Sequence, residues 1–238
     1  MDTQRIALVT GANKGIGFEI ARQLASAGVR VVLGARNLRL GEAAAQKILE
    51  GAATAIHLDL DDHASIARAA AEIEAGYGRL DILVNNAGIF DFADAPPSSA
   101  SPDAVRRTME VNFFGTLAVT QAMLPLLRKA PAGRIVNLSS SLGSLTLNGS
   151  PDSIYYGAQF IGYNASKAAL NMMTVQLREE LRDTNIVVNS ISPGFVGTDL
   201  NGGTGPLTPE EGARLPVRFA LKGEENGGFF EADGRTPW

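Results

Sequence analysis

The stretch Thr10-Gly11-Ala12-Asn13-Lys14-Gly15-Ile16-Gly17 directly follows an apolar run that ends at Val9, and it opens into a segment with helical periodicity. The glycines therefore occupy a turn from a strand into a helix. Glycine permits a tight turn and lets a pyrophosphate approach the backbone, where N–H groups at the helix start stabilise its charge. A purely structural turn is the alternative interpretation. The residues expected to bind a dinucleotide here are Gly11, Asn13, Lys14, Gly15, Ile16 and Gly17.

Apolar, β-branched runs alternate with segments of helical periodicity along the whole chain. The predicted strands are 5–9, 30–33, 53–58, 81–84, 134–138 and 186–191, and the predicted helices are 15–26, 39–49, 64–75, 104–128 and 165–182. Strands that are apolar on both faces and joined by helices predict a parallel sheet covered on both sides. We therefore expect an α/β fold with a Rossmann-type doubly wound parallel sheet, flanked by helices in three α/β/α layers. Residues 1–238 show no internal repeat or linker, and they are predicted to form one domain. Within it, segments 142–162 and 201–226 are interpreted as loops or insertions over a site.

The composition excludes several classes of function. Of the 238 residues, 45% are hydrophobic and 19% charged, which is typical of a compact globular protein. A net charge of -4 without a long Lys/Arg run argues against nucleic acid or an anionic membrane as partner. The chain has no cysteine, and His57 and His63 are too few for a cluster, so we expect no metal site. Because the first residues lack a signal-peptide pattern and no apolar span approaches twenty residues, we expect a cytoplasmic protein.

The end of the second predicted strand indicates which dinucleotide is bound. An NAD site usually carries an acidic residue there to hold the ribose 2′-hydroxyl. This chain instead has Arg36, and Lys14 lies within the glycine turn. Two cations can hold a 2′-phosphate through charge-assisted hydrogen bonds, so the sequence favours NADP(H). A solvated surface arginine is the alternative for Arg36 taken alone.

The segment Tyr163-Asn164-Ala165-Ser166-Lys167 places a phenol and an ammonium group four residues apart. On a helix such residues share a face. A nearby positive charge favours tyrosinate, so we expect Lys167 to lower the pKa of Tyr163 and to let the phenol exchange a proton near neutral pH. A helix-capping tyrosine and a solvent-facing lysine are the alternative if the pair stands alone.

Short motifs occur in a fixed order along the chain: Thr10 to Gly17, Asn85-Asn86-Ala87-Gly88, Asn112, Asn137-Leu138-Ser139-Ser140, Tyr163 to Lys167, and Pro193-Gly194. Together they resemble the short-chain dehydrogenase/reductase family over nearly the whole chain. The resemblance implies that Tyr163 is the general acid/base and that Lys167 holds the nicotinamide ribose and tunes Tyr163. It also implies that Ser140 binds the substrate oxygen and that Asn112 supports a proton-relay water.

The same resemblance implies further cofactor contacts, beyond those of Tyr163 and Lys167. They are Asn86, Ala87 and Gly88 beside the adenosine ribose, Asp59 and Leu60 at the adenine, and Pro193, Gly194, Val196 and Thr198 at the nicotinamide. Asp59 has a helix-capping acid as its alternative. Consecutive strand residues alternate in direction, so only serines of one parity can face the same side. The resemblance favours Ser140 as the catalytic serine, with Ser139 as a structural hydroxyl and Ser141 as the second choice.

The interval from Ser140 to Tyr163 is 23 residues, longer than is usual in that family. It resembles the added segment of carbonyl-reductase-like members, including those acting on terpenoid or other bulky ketones. Such an insertion would shape one wall of the substrate pocket, and we expect a monomer or a homo-oligomer.

These observations predict an NADPH-dependent reductase that transfers hydride to a ketone or aldehyde, reversibly, with a small-molecule substrate. One alternative is a 3-oxoacyl thioester reductase, which the long segment before Tyr163 fits poorly. The other is a protein that senses NADP(H) without chemistry, against which the intact Ser140, Tyr163 and Lys167 argue.

Overall fold

A computed structural model describes residues 4–223 and 225–238. In these ranges the strands are β1 (Ile6–Thr10), β2 (Arg30–Ala35), β3 (Ala53–His57), β4 (Ile82–Asn85), β5 (Gly133–Leu138), β6 (Ile186–Ile191), β7 (Phe229–Glu231) and β8 (Gly234–Arg235). The α-helices are α1 (Gly15–Ser26), α2 (Leu38–Ala45), α3 (His63–Tyr77), α4 (Pro102–Met109), α5 (Thr116–Leu127), α6 (Leu145–Gly149), α7 (Ile161–Glu180) and α8 (Pro209–Leu221).

The described strands form one sheet in the order β3-β2-β1-β4-β5-β6-β7-β8. Neighbouring strands are parallel except β7 and β8, which pair antiparallel. The chain builds outward from β1 in one direction and from β4 in the other, so the strand order reverses between these two central strands. Ligands of open α/β sheets bind at the carboxyl ends of strands at such a point. The predicted doubly wound fold is confirmed, and its topology places the site beside the ends of β1 and β4.

Alternate residues of the central strand face opposite layers of helices. Ile6 and Leu8 of β1 pack into one apolar cluster, whereas Ala7 and Val9 pack into the other. This two-residue period, with both faces buried, is typical of a parallel strand between two helical layers. The prediction of a single domain stays a prediction, supported by the fact that both clusters pack on the same sheet.

Several predicted boundaries were wrong. The single helix predicted over 104–128 consists of α4, a π-helical turn at Glu110–Gly115 and α5. Segment 201–226, interpreted as a loop, contains α8, whose N-terminus has Thr208 and Glu211 in a capping box. Pro216 lies inside this helix, and an internal proline argues against a helix when only the sequence is considered.

Segment 142–162 is also more ordered than a loop. It contains most of a 3-10 turn at Ser141–Gly143, the whole of α6 and the first residues of α7. The segment packs against the end of the sheet: Tyr155 Oη donates to Glu231 Oε1 at 3.3 Å, and Thr146 Oγ1 donates to the carbonyl oxygen of Trp238 at 2.7 Å. Trp238 in turn stacks on the buried Phe229.

Candidate active site

The glycine turn after β1 is closely packed against the end of β4. Gly11 and Gly15 adopt positive φ angles of 64° and 60°, which residues with a side chain rarely adopt. A Cβ atom on Gly17 would lie 2.4 Å from Asn86 Nδ2 and 2.6 Å from the carbonyl oxygen of Gly11. Asn86 Nδ2 is held there by donating to the carbonyl oxygen of Thr10 at 2.8 Å. The glycines thus leave backbone, rather than side chains, facing any ligand at the start of α1.

A cleft of about 720 Å3 extends from this turn across the carboxyl ends of the strands. Its size lies within the range of small-molecule and cofactor sites. It brings together most of the predicted cofactor residues: Gly11, Asn13, Lys14, Gly15, Ile16, Gly17, Arg36, Asp59, Leu60, Asn86, Ala87, Gly88, Tyr163, Lys167, Pro193 and Thr198. Residues from distant parts of the chain therefore form one continuous surface.

Two predicted cofactor residues, Gly194 and Val196, do not line this cleft. Val196 is buried, with 4% of its surface exposed, and bridges to Leu207. Its side chain packs so closely on Gly212 that a Cβ atom there would lie 2.5 Å from Val196 Cγ2. The side chain of Val196 therefore anchors α8, and only its backbone is near the cleft residues Gly197 and Thr198.

Tyr163 and Lys167 lie on the first turns of α7, as predicted. Lys167 is buried, with 5% of its surface exposed, and its Nζ atom lies 5.6 Å from the centre of the Tyr163 ring. The same Nζ donates a hydrogen bond to the carbonyl oxygen of Leu138 at 2.8 Å. The ammonium group is thus held between the end of β5 and the face of the helix that carries the phenol.

The pKa prediction for Tyr163 was wrong. Desolvation by the surrounding protein raises the pKa of Tyr163 to about 12, and a hydrogen bond with Ser140 acts in the opposite direction. Desolvation also lowers the pKa of Lys167 to about 8. Spacing on a helix identifies neighbouring groups, but burial decides the direction of these shifts. Tyr163 is therefore protonated at neutral pH.

The three consecutive serines after β5 have different partners. The Ser140 side chain lowers the pKa of Tyr163, against the effect of desolvation, and its Oγ accepts from the N–H of Leu142 at 3.2 Å. Ser139 Oγ lies 3.5 Å from the carbonyl oxygen of Lys167, and Ser141 Oγ donates to Ser192 Oγ at 3.2 Å. Of the three, Ser139 lines the cleft and Ser140 does not, whereas Ser140 is the one that affects the pKa of Tyr163.

Asn112 lies in the π-helical turn and is buried, with 1% of its surface exposed. Its Oδ1 accepts from the N–H of Ile89, and its Nδ2 donates to the carbonyl oxygen of Ile89 and to Ser166 Oγ. Ser166 Oγ donates in turn to the carbonyl oxygen of Tyr163. The side chain of Asn112 therefore joins the segment after β4 to α7. π-Helical turns of this kind often occur at functional sites.

The two cations near the glycine turn differ in their surroundings. Arg36 is exposed and lines the cleft, whereas Lys14 forms an ion pair with Asp199 at 2.6 Å. The pair joins the glycine turn to the segment after β6. Asp59 also lines the cleft, and it does not cap a helix, because Asp62 is the residue that caps α3.

A family model described as short chain dehydrogenase matches residues 5–206. The match covers most of the chain and includes the glycine turn, Ser140, Tyr163 and Lys167. The chain belongs to the short-chain dehydrogenase family. The resemblance to this family that the sequence motifs indicated is confirmed.

Relatives within the short-chain dehydrogenase family span nearly the full chain. The short-chain dehydrogenase anuI of Penicillium roqueforti (strain FM164) is 39% identical over 229 residues, covering 93% of this chain and 90% of the relative. The NADPH carbonyl reductase 1 of Macaca fascicularis is 35% identical over 256 residues, covering 91% of both chains. A crystal structure of NADPH-bound carbonyl reductase from chicken fatty liver superposes with a TM-score of 0.85 at 28% identity, covering 99% of both chains. The chain is accordingly an oxidoreductase of the short-chain dehydrogenase family, and it is similar to carbonyl reductases.

The sequence did not identify the aromatic wall of this short-chain dehydrogenase. Phe90 and Phe92 line the cleft, and the ring of Phe90 packs edge-on against those of Phe92, Phe160 and Tyr163. Phe90 and Phe92 lie two and four residues after the Asn-Asn-Ala-Gly motif, and this position just beyond a central strand is the sequence feature that could have identified them. The other lining residues not predicted are Leu58, Asp61, Ile89, Val111, Leu138, Ser139, Gly197, Asp199, Leu200 and Pro209.

Segment 142–162, expected to form a wall of the substrate pocket, does not line this cleft. Its hydrogen bonds instead join it to the C-terminal strands and to α7, where Asn164 Nδ2 donates to Asn148 Oδ1 at 3.0 Å.

In the ranges that the structure describes, no group of three or more His, Cys, Asp or Glu residues could hold a metal ion. Within the same ranges no helix combines the length and apolarity needed to cross a membrane.

Proposed function

We propose that this short-chain dehydrogenase reduces a ketone or aldehyde with NADPH, and that Tyr163 donates the proton. The observation that carries the proposal is the position of the protonated phenol of Tyr163. It lies in the same cleft as the glycine turn, and the Nζ atom of Lys167 lies 5.6 Å from the centre of its ring. A proton donor next to a dinucleotide cleft is the arrangement that carbonyl reduction requires.

The residues at one end of the cleft fit an NADP molecule. Gly11, Gly15 and Gly17 expose backbone at the N-terminus of α1, where the helix dipole favours a pyrophosphate. Arg36 is exposed in the cleft wall and can hold a 2′-phosphate with two parallel N–H donors. The carbonyl reductase structure cited above is described as NADPH-bound, which supports the same choice of cofactor. When bound, NADPH supplies the hydride for the carbonyl carbon.

The chain's own residues would supply and stabilise the proton. Tyr163 Oη donates its proton to the carbonyl oxygen as that oxygen gains negative charge, and the Ser140 hydroxyl donates a hydrogen bond to the same oxygen. Lys167, with a pKa of about 8, carries a positive charge at neutral pH and lowers the energy of the tyrosinate that remains. Solvent then returns a proton to Tyr163, so one hydride and one proton convert the carbonyl to an alcohol.

A turnover assay tests this function. Consumption of NADPH, and separately of NADH, is followed with a panel of ketones, aldehydes, quinones and 3-oxoacyl thioesters. The proposal predicts reduction of at least one ketone or aldehyde, with NADPH preferred. Turnover confined to thioesters would identify a thioester reductase, and NADPH binding without any turnover would identify a sensor; both results contradict the proposal.

A further inference from the structure

Helix α7 carries Tyr163 in its first turn, and that turn has no capping side chain of its own. The N-cap residue is Phe160, which forms no side-chain cap hydrogen bond within the part of the chain that the structure describes. The first N–H groups of a helix have no partner inside the helix and need an acceptor from elsewhere. The first backbone bond within α7 runs from the N–H of Asn164 to the carbonyl oxygen of Phe160, so the three N–H groups before it require other partners.

Asp94 and Ala95, which precede their partners by almost 70 residues, supply all three acceptors. The carbonyl oxygen of Ala95 accepts from the N–H of Ile161 at 3.3 Å. Asp94 Oδ1 accepts from the N–H of Gly162 at 3.0 Å, and Asp94 Oδ2 accepts from the N–H of Tyr163 at 2.8 Å. Both carboxylate oxygens of a buried aspartate thus bind the helix turn that carries the phenol. A negative carboxylate at a helix N-terminus is also favoured by the helix dipole.

Close packing at Gly162 explains why the carboxylate can reach these N–H groups. A Cβ atom at this position would lie 3.1 Å from Asp94 Oδ2 and 3.1 Å from Cα of Val105 in α4. The carboxylate therefore occupies the space that a side chain would fill.

The segment that carries Asp94 also contacts the side chain of Tyr163. The Phe90 ring packs against the Tyr163 ring with centroids 5.6 Å apart at an interplanar angle of 63°. Asp91 forms an ion pair with Arg107 at 2.7 Å, which ties the same segment to α4. The segment from Phe90 to Ala95 therefore holds both the backbone and the ring of Tyr163.

We infer that Asp94 is a positioning residue for the reaction, whose carboxylate fixes the first turn of α7 and so the phenol of Tyr163 relative to the cleft. The inference rests on the proposed function, because it assigns the proton donor to Tyr163. Asp94 does not line the cleft that holds the proposed catalytic and cofactor residues. Its effect on the position of Tyr163 is transmitted by the two hydrogen bonds that it accepts from the N–H groups of Gly162 and Tyr163.

The test compares Asp94→Asn and Asp94→Ala with Asp62→Ala as the matched control. Asp62 caps α3 with its carboxylate, accepting from the N–H of Ala64 at 2.9 Å, but α3 carries none of the proposed catalytic residues. Asparagine keeps one acceptor oxygen and turns an NH2 group toward the other N–H. We expect kcat to fall about tenfold in Asp94→Asn and about a hundredfold in Asp94→Ala, since a misplaced catalytic group costs up to that factor. KM for NADPH should stay within about threefold, because the glycine turn is untouched, whereas Asp62→Ala should lower thermal stability and leave kcat unchanged.

Amide hydrogen exchange gives a second measurement that does not depend on turnover. The N–H groups of Gly162 and Tyr163 should exchange faster in Asp94→Asn than in the wild type, while those of α3 are unchanged. Absence of turnover in the wild type would count against the proposed function alone, since exchange still reports on Asp94. If Asp94→Ala does not fold, Asp94→Asn carries the test. Unchanged kcat together with unchanged exchange at Gly162 and Tyr163 would overturn the inference, as would an equal loss of kcat in Asp62→Ala.

Discussion

The Nζ atom of Lys167 lies 5.6 Å from the centre of the Tyr163 ring, and burial shifts the pKa values of the two groups in opposite directions. Desolvation lowers the pKa of Lys167 to about 8 from its ordinary value of 10.5, and it raises that of Tyr163 to about 12 from 10.0. Between pH 8 and pH 10, therefore, both groups are predominantly neutral. Below pH 8 the lysine carries a positive charge beside a protonated phenol, which is the state required for proton donation to a carbonyl.

The buried Lys167 predicts a specific dependence of stability on pH. Between the folded pKa of about 8 and the ordinary value of 10.5, the unfolded chain binds more protons at this residue than the folded protein. The contribution of Lys167 to stability therefore rises with pH across this window. Relative to Lys167→Met, the wild type should gain about 3 kcal/mol in free energy of unfolding between pH 7 and pH 10.5. Denaturant unfolding of both proteins at several pH values measures this difference. If the difference between wild type and Lys167→Met does not change with pH, the pKa of Lys167 is not lowered in the folded protein.

The glycine turn predicts that Gly17→Ala is poorly tolerated. The added Cβ atom would lie 2.4 Å from Asn86 Nδ2 and 2.6 Å from the carbonyl oxygen of Gly11, so either the turn or the end of β4 must move. We expect a loss of about 1–3 kcal/mol in stability, typical of overpacking, and NADPH binding weaker by at least about tenfold, or about 1.4 kcal/mol. Gly76→Ala is the control, because a Cβ atom there meets nothing within 4 Å. Calorimetric titration with NADPH measures both variants, and equal affinities would count against close approach of the cofactor to this turn.

Arg36 predicts the choice between the two nicotinamide cofactors. Removing a charge-assisted hydrogen bond to the 2′-phosphate costs about 1.5–3 kcal/mol. In Arg36→Ala, kcat/KM for NADPH should therefore fall about tenfold to a hundredfold, with the value for NADH unchanged. Arg39→Ala is the matched control, since Arg39 is also exposed but does not line the cleft. An equal effect of Arg36→Ala on both cofactors would show that Arg36 does not recognise the phosphate.

The parts of the site that follow strands were predictable from the sequence. The alternation of apolar runs and helical segments gave the parallel sheet, and the carboxyl ends of parallel strands lie at one edge. The glycine turn after β1, Asn86 after β4 and Ser140 after β5 therefore had to lie together. Local motifs of this kind depend on neighbours in the sequence, which are visible without a structure.

The features that were missed depend on contacts between distant segments. Nothing near Asp94 marks it as the acceptor for the N-terminus of α7, because its partners Gly162 and Tyr163 come almost 70 residues later. The ion pair of Lys14 with Asp199 is equally remote in sequence. The pKa of Tyr163 was predicted in the wrong direction for a related reason: the spacing to Lys167 is local, whereas desolvation depends on how the whole cleft packs around the phenol.

The role of Tyr163 as proton donor is tested by the rate of hydride transfer in Tyr163→Phe. Single-turnover oxidation of bound NADPH by a carbonyl substrate, found in the turnover assay, separates chemistry from binding. Phenylalanine removes the proton donor and keeps the ring that packs on Phe90, so hydride transfer should slow by about a hundredfold to ten-thousandfold, while the Kd for NADPH stays within about threefold. A variant that transfers hydride at the wild-type rate would show that Tyr163 is not the proton donor.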